Sequence, residues 1–371
     1  MSLAVAVAVA MFVGVIAYAL FGGADFGSGF YDLTAGGSRQ GAELRTLIDH
    51  SIGPVWEANH VWLIYVLVTW WTAFPESFAS AMSTLILPML LALLGIVLRG
   101  ASFAFRKYAA TMNQARVFGA VFAISSVITP FFFGTVAGGI ASGRVPATGR
   151  GDLWSSWLNP TSVFGGAIAA ATCAFLAGVF LCADACRSRQ GTLAEQLRRR
   201  TLVVGAVTGV VVFAALPSLQ SDAPTLTEGL QTRAAPLIAA SGLTGAATMV
   251  LLATRRFGRA RFTAVTAVAA VVTGWGIAQY PWLLVDRATI VEAAGAPATL
   301  RALLVAVGLA AVIVLPALGY LYRLTQTETW SGHPTAPAVG RAGLGQRPES
   351  ALRVKTTTPE PKKPTNPHPS A

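Results

Sequence analysis

The residues with chemical capacity gather at Gly53-Pro54-Val55-Trp56-Glu57-Ala58-Asn59-His60-Val61-Trp62. There a carboxylate, an amide and an imidazole open an apolar run that reaches about Phe74. Such groups are costly in lipid, so they are buried in protein, paired, or set along a water path. A second acid, Asp25, sits in Gly22-Gly23-Ala24-Asp25-Phe26-Gly27-Ser28-Gly29, just past the first apolar run. Carboxylates and imidazoles bind and release protons, so the chemistry on offer is proton transfer. Pro54 suits the first turn of a helix. The helix dipole there favours a carboxylate such as Glu57. His60 lies three residues on and shares its face, whereas Asn59 points roughly the opposite way. Trp56 and Asn59 flank the pair as supporting candidates. Spacing alone leaves two readings of each acid open. Asp25 either titrates or closes the first span at the interface. Glu57 either relays protons or sits in a static pair with His60 or a basic loop residue.

The remaining inventory excludes several kinds of chemistry. His50 and His60 are the only histidines before the tail, too few for a multi-haem site. Cys173, Cys182 and Cys186 lie in or near one apolar segment, and Cys182 and Cys186 share a helix face. They read as small packing residues, since no metal-ligand spacing accompanies them. No phosphate loop, nucleotide fingerprint or catalytic triad is present. The sequence therefore offers no catalytic or metal-ligating residues of its own. Arg99 and Arg106 read as anchors closing the third span, each able to pair with an acid. Asp184 reads as a solvated end to the fifth, and the tryptophans near the ends of the second span as interfacial anchors.

The elements that must position these groups are membrane helices. The chain has 371 residues, 54% hydrophobic and 12% charged, against about 25% charged in soluble domains. Nine runs approach the ~20 residues needed to cross a bilayer: 3–21, 55–73, 78–98, 116–136, 162–183, 202–218, 234–253, 262–280 and 301–322. The first is read as a retained span rather than a signal sequence. No run alternates like a barrel strand, so the expected class is all-α, a polytopic helix bundle. With the N-terminus outside, the inward loops hold fifteen Lys and Arg and the outward loops five. That asymmetry predicts an N-out, C-in topology. The net charge of +11 is thus assigned to topology and anionic lipid rather than to nucleic acid. Residues 1–325 form the expected membrane domain. Residues 326–371, rich in Pro, Thr and Gly, are expected to be a disordered cytoplasmic tail.

Four stretches in order give the chain a family resemblance. Gly53 to Trp62 resembles the second-helix motif of subunit II of cytochrome bd-type quinol oxidases. Ala24-Asp25-Phe26-Gly27-Ser28-Gly29 resembles the end of that family's first helix, and Leu98-Arg99-Gly100-Ala101-Ser102-Phe103-Ala104-Phe105-Arg106 the end of its third. Trp275-Gly276-Ile277-Ala278-Gln279-Tyr280-Pro281 resembles its eighth-helix exit, followed by Ala296-Pro297-Ala298-Thr299-Leu300 and Leu321-Tyr322-Arg323-Leu324. The resemblance covers about residues 5–325. It implies a haem-free subunit of a bacterial respiratory complex that oxidises ubiquinol or menaquinol and reduces oxygen to water. Its heterodimer partner, subunit I, would hold haem b and haem d. Small accessory subunits and membrane lipid are further partners to expect. The resemblance also implies that Asp25 and Glu57 stand at a cytoplasmic proton entry. The chain departs from the family at two places. Gly22 stands where many relatives carry an acid, and Glu57 stands where many carry Asp.

Two other readings compete. An ion-coupled secondary transporter would use Asp25 and Glu57 as coupling sites, but such folds place their sites near mid-membrane and show repeats. A structural scaffold would leave both acids without a proton to carry.

Overall fold

The computed structural model describes residues 2–326 apart from 38, 39, 54, 107 and 110. The expected tail therefore lies outside the described residues except for Gln326, which ends the last helix. What is described is almost wholly helical. Helix α1 (Leu3–Ala17) starts at Ser2, whose hydroxyl accepts the Val5 N–H, and runs through a π-helical segment, Tyr18–Gly22, into α2 (Gly23–Leu33). The remaining helices are α3 (Ala42–Ile52), α4 (Trp56–Ala73), α5 (Pro75–Thr84), α6 (Ile86–Arg106), α7 (Met112–Ala141), α8 (Pro160–Arg187), α9 (Gly191–Asp222), α10 (Pro224–Gln231), α11 (Ala235–Ala253), α12 (Phe257–Gln279) and α13 (Pro297–Gln326). A small antiparallel hairpin, β1 (Trp282–Leu284) with β2 (Ala288–Thr289), sits between the last two helices.

Local sequence sets several of these boundaries. Thr111 and Gln114 form a reciprocal capping box at the start of α7. Asn159 caps α8, with Pro160 in its first turn. Among the described residues eight helices are long and apolar enough to cross a membrane. The helix expected as the second span, Trp56–Ala73, is not among them. It has 18 residues, and Glu57, Asn59, His60 and its tryptophans lower its hydropathy. Two other expectations need correction. The first span does not stop near residue 21, because the helix continues to Leu33. The third is broken at Leu85 and reaches Arg106 rather than residue 98, which moves Arg99 from the end of a helix into its body.

Small residues explain why the glycine-rich stretch packs rather than breaks. A Cβ on Gly27 would lie 1.9 Å from the Cys173 carbonyl oxygen of α8, and one on Gly29 would lie 2.2 Å from Ser126 Cβ of α7. Helix α2 is thus drawn against both neighbours at backbone distance. Without water to solvate a broken turn, continuing the helix is the cheaper way to satisfy its backbone. The largest apolar cluster surrounds this junction, with Tyr31, Ile48, Phe103, Phe122, Leu176 and Leu197 at its centre. Burial is uneven across the bundle. The apolar window of α8 is 56% buried, whereas that of α9 is 6% and that of α13 0%. The latter two present their apolar surfaces outward.

Candidate functional site

The junction of α2, α6 and α7 holds the most deeply buried ion pair among the described residues. Arg99 Nη2 donates to Asp25 Oδ1 at 2.6 Å and to the Asp25 carbonyl at 3.2 Å. Its Nε donates to Ser126 Oγ at 2.9 Å, and the Ser126 hydroxyl donates in turn to the Phe122 carbonyl. Asp25 is 3% exposed and Arg99 1%. Two aromatic faces close on the guanidinium, Phe26 and Phe122, each with its centroid 5.0 Å from Arg99 Cζ. Removing two charges from water costs several kcal/mol per ion, so both partners depend on this pairing and these hydrogen bonds. Oδ2 of Asp25 is nevertheless buried with no hydrogen-bond partner among the described residues. Asp25 is therefore not an interfacial acid at the end of a span.

A second rung repeats the first one heptad along. Arg106 Nη1 donates to Asp32 Oδ2 at 2.7 Å, and Arg45 Nε donates to Asp32 Oδ1 at 2.7 Å. Arg106 also grips Asp49, at 2.8 and 3.0 Å. The spacings 25 to 32 and 99 to 106 are both seven, so each helix turns one face to the other. Phe122 stands between the rungs, its ring also 5.8 Å from Arg106 Cζ. Asp32, Arg45 and Asp49 were not singled out in the sequence. The matched heptad spacing of Asp25 with Asp32 and of Arg99 with Arg106 was the signal that could have found Asp32, whereas Arg45 and Asp49, on α3, carry no such signal.

The residues at the start of α4 divide. Asn59 is buried and donates to the Phe21 carbonyl of the π-helical segment at 3.3 Å. A π turn placed beside a buried acid often marks a functional position. His60 is half-buried, and its Nδ1 meets the Tyr18 hydroxyl at 3.5 Å, the donor being set by the tautomer. Its ring packs edge-on to Phe26 and Trp56, with centroids 5.8 and 6.4 Å away. Trp56 leans on Phe103 and so faces the interior. Glu57 is exposed and makes no hydrogen bond or ion pair among the described residues. The static Glu57–His60 pair, one of the readings left open for Glu57, is not formed among the described residues, and Tyr18 is the partner His60 meets. The aromatic set Trp56, His60 and Phe26 nonetheless joins the start of α4 to the Arg99 guanidinium.

Other expectations shift in detail. Asp184 is engaged rather than simply solvated, accepting from Ser51 at 3.0 Å, Arg187 at 2.9 Å and Arg261 at 3.3 Å. The three cysteines are free. Cys182 is buried beside Thr201, whereas Cys186, one turn nearer the helix end, is exposed. No group of three or more His, Cys, Asp or Glu able to hold a metal occurs among the described residues.

Fold and site together define a multi-pass membrane helix bundle organised around buried carboxylate–arginine rungs. A family model for cytochrome bd terminal oxidase subunit II matches residues 3–325. The chain belongs to that family. Over 204 residues it is 28% identical to cytochrome bd ubiquinol oxidase subunit 2 of Bacillus subtilis, covering 54% of this chain and 58% of that relative. Over 210 residues it is 28% identical to cytochrome bd-I ubiquinol oxidase subunit 2 of Escherichia coli, covering 54% of this chain and 52% of that relative. The matched stretch thus spans little more than half the length of the curated relatives. A solved structure of bd oxidase from Geobacillus thermodenitrificans shares the fold, with a TM-score of 0.73 and 24% identity over 88% of this chain and 99% of that one.

Proposed function

We propose that this chain is the haem-free subunit II of a bacterial quinol:oxygen oxidoreductase of the bd type, set in the cytoplasmic membrane with its N-terminus outside and its C-terminus inside. The family match across residues 3–325 carries this reading. Nine crossings, with α4 as the second, fit the loop charges. Residues 1–325 act as the membrane unit and 326–371 as a cytoplasmic tail. Subunit I holds haem b and haem d, which pass electrons from quinol to oxygen. This chain stabilises that partner through its outward apolar helices.

Its own residues supply a proton route from the cytoplasm. Oxygen reduction to water consumes protons, and they must cross a low-dielectric interior. Glu57, exposed in the first turn of α4, collects them from water. The His60–Tyr18 contact lies one turn further in. Arg99 holds Oδ1 of Asp25 and leaves Oδ2 without a partner, so Oδ2 is the atom that takes a proton. Asn59 and Trp56 hold the surrounding turns in place. An ion-coupled transporter fits less well, because both acids stand toward the arginine-rich end.

The test is Glu57→Gln and Asp25→Asn in the intact oxidase, reading oxygen uptake per haem. Slower turnover with haem content kept is the expected result for Glu57→Gln. Unchanged turnover in both variants would leave a scaffold. Loss of haem together with turnover would assign Glu57 to assembly instead.

A further inference from the structure

The arginine-rich end of the bundle carries a second polar feature, remote in sequence from the Asp25 rung. A cavity of about 630 Å³ opens between the C-terminal end of α8 and the turn that starts α12. Five arginines wall it: Arg187, Arg255, Arg256, Arg259 and Arg261, with Phe257 between them. No carboxylate lines it. The nearest acids are already shared. Asp184 is held by Ser51, Arg187 and Arg261, and Glu195 meets Arg255 only at 3.2 Å while Arg198 grips it at 2.6 and 2.9 Å. The side chains of Arg256 and Arg259 have no hydrogen-bond or ion-pair partner among the described residues.

A topology signal would need cations in this loop but no concavity. Here two connections some 70 positions apart bring like charges to one hollow, which repels unless an anion fills it. Backbone adds to the attraction. Phe257, Gly258 and Arg259 are the first residues of α12, whose N-cap, Arg256, gives no side-chain cap. Their N–H groups have no intrahelical partner. Open space lies beside Gly258, so a ligand can approach the main chain there. Guanidinium forks pair bidentately with phosphate as with carboxylate, and several forks around one hollow suit an anion that offers three or more oxygens.

We propose that this cavity binds a phosphate-bearing anion, either the headgroup of an anionic phospholipid or a free phosphate compound. Its place at the ends of two membrane-length helices, α8 and α12, sets it at headgroup level and favours the lipid. The proposal does not rest on the oxidase reading, since it uses none of the rung residues.

The experiment uses the full chain in its purified complex. Native mass spectrometry compares phosphatidylglycerol with phosphatidylcholine of the same acyl chains, and calorimetry measures inorganic phosphate. The variant Arg256→Gln/Arg259→Gln removes the two unpartnered cations. The variant Arg116→Gln/Arg150→Gln removes two exposed charges outside the cavity as a matched control. Melting curves confirm that both variants fold, which their exposed positions favour. For a lipid site, phosphatidylglycerol binds in preference to phosphatidylcholine, and the cavity variant loses about tenfold or more in affinity. For a free phosphate site, inorganic phosphate binds the parent protein and not the cavity variant, with no lipid preference. The proposal is overturned if the cavity variant binds both probes as the parent does, if the control loses as much, or if neither probe is preferred.

Discussion

Asp25 and Glu57 look alike in the sequence, each an acid beside an apolar run, Asp25 just past the first and Glu57 at the start of the second. The structure sets them apart. Asp25 is 3% exposed and fixed by Arg99, whose guanidinium lies over the Phe26 ring. Glu57 is exposed and unpartnered among the described residues, although only two positions separate it from the buried Asn59 on the opposite face of the helix. In the proposed proton route the two carboxylates therefore differ in kind. The inner one needs a fixed counter-charge to exist at all in a dry interior. The outer one needs only access to water and a helix start.

The largest effect should come from splitting the inner pair. Arg99→Leu leaves Asp25 buried without its partner, a change that costs about 3–5 kcal/mol. The assembled, haem-containing complex should fall sharply in membranes, read from its absorbance. Asp25→Leu combined with Arg99→Met removes both charges and should recover assembly relative to the single variant. Turnover should not recover, because Oδ2 is gone. An Arg99→Leu complex that assembles like the parent would end the distinction between the two acids. Next in size is the second rung. Asp32→Asn weakens the charged hydrogen bonds to Arg45 and Arg106 but leaves Arg106 its contact with Asp49. A cost of about 1.5–3 kcal/mol is expected, seen as a lowered melting temperature in detergent. No change in melting would mean that only the Asp25 rung bears on stability.

The two rungs also explain what the sequence could and could not reveal. Eight of the nine expected apolar runs answer to membrane-length helices among the described residues, because lipid imposes length and hydrophobicity on each crossing. The polar opening of α4 was legible as a costly feature for the same reason. Asp25 was legible as an acid of interest, but its depth was not. The run of glycines around it reads equally as a break or as a packing surface, and only the approach of Cys173 and Ser126 decides between them. Arg99 looked like an anchor because the third span was placed too early. The break at Leu85 moves it into the bundle. His60 shares a face with Glu57, yet a helix cannot state which neighbour its face will meet. Tyr18, forty-two positions earlier, does so here.

Glu57→Gln tests the comparison from its outer side. An exposed side chain without a partner should change stability by no more than about 0.5 kcal/mol. Melting temperature and haem content should therefore match the parent while oxygen uptake slows. A melting shift as large as that of Asp32→Asn would show that the partner subunit buries Glu57, and the contrast of wet and dry acids would then hold only for the isolated chain.

The smallest effect belongs to a third acid, which shows that exposure alone does not leave a carboxylate idle. Asp152, in the connection between α7 and α8, is exposed like Glu57. Its Oδ1 accepts the backbone N–H of Ser155 at 2.6 Å, that of Trp154 at 2.9 Å, and the Ser155 hydroxyl at 2.8 Å. These bonds favour the charged form, the Ser155 N–H foremost, and hold its carboxyl below the ordinary value of 3.8. A depressed folded pKa gives stability that is present above 3.8 and lost as pH falls through the folded value. Hydrogen exchange in residues 150–160, corrected for intrinsic rates, should quicken as pH drops below that point. Asp152→Asn should flatten the dependence, because its amide cannot titrate. If the variant keeps the same pH profile, Asp152 is as idle within the fold as Glu57, and the loop owes its shape to Trp157 and its neighbours in the apolar cluster at that end.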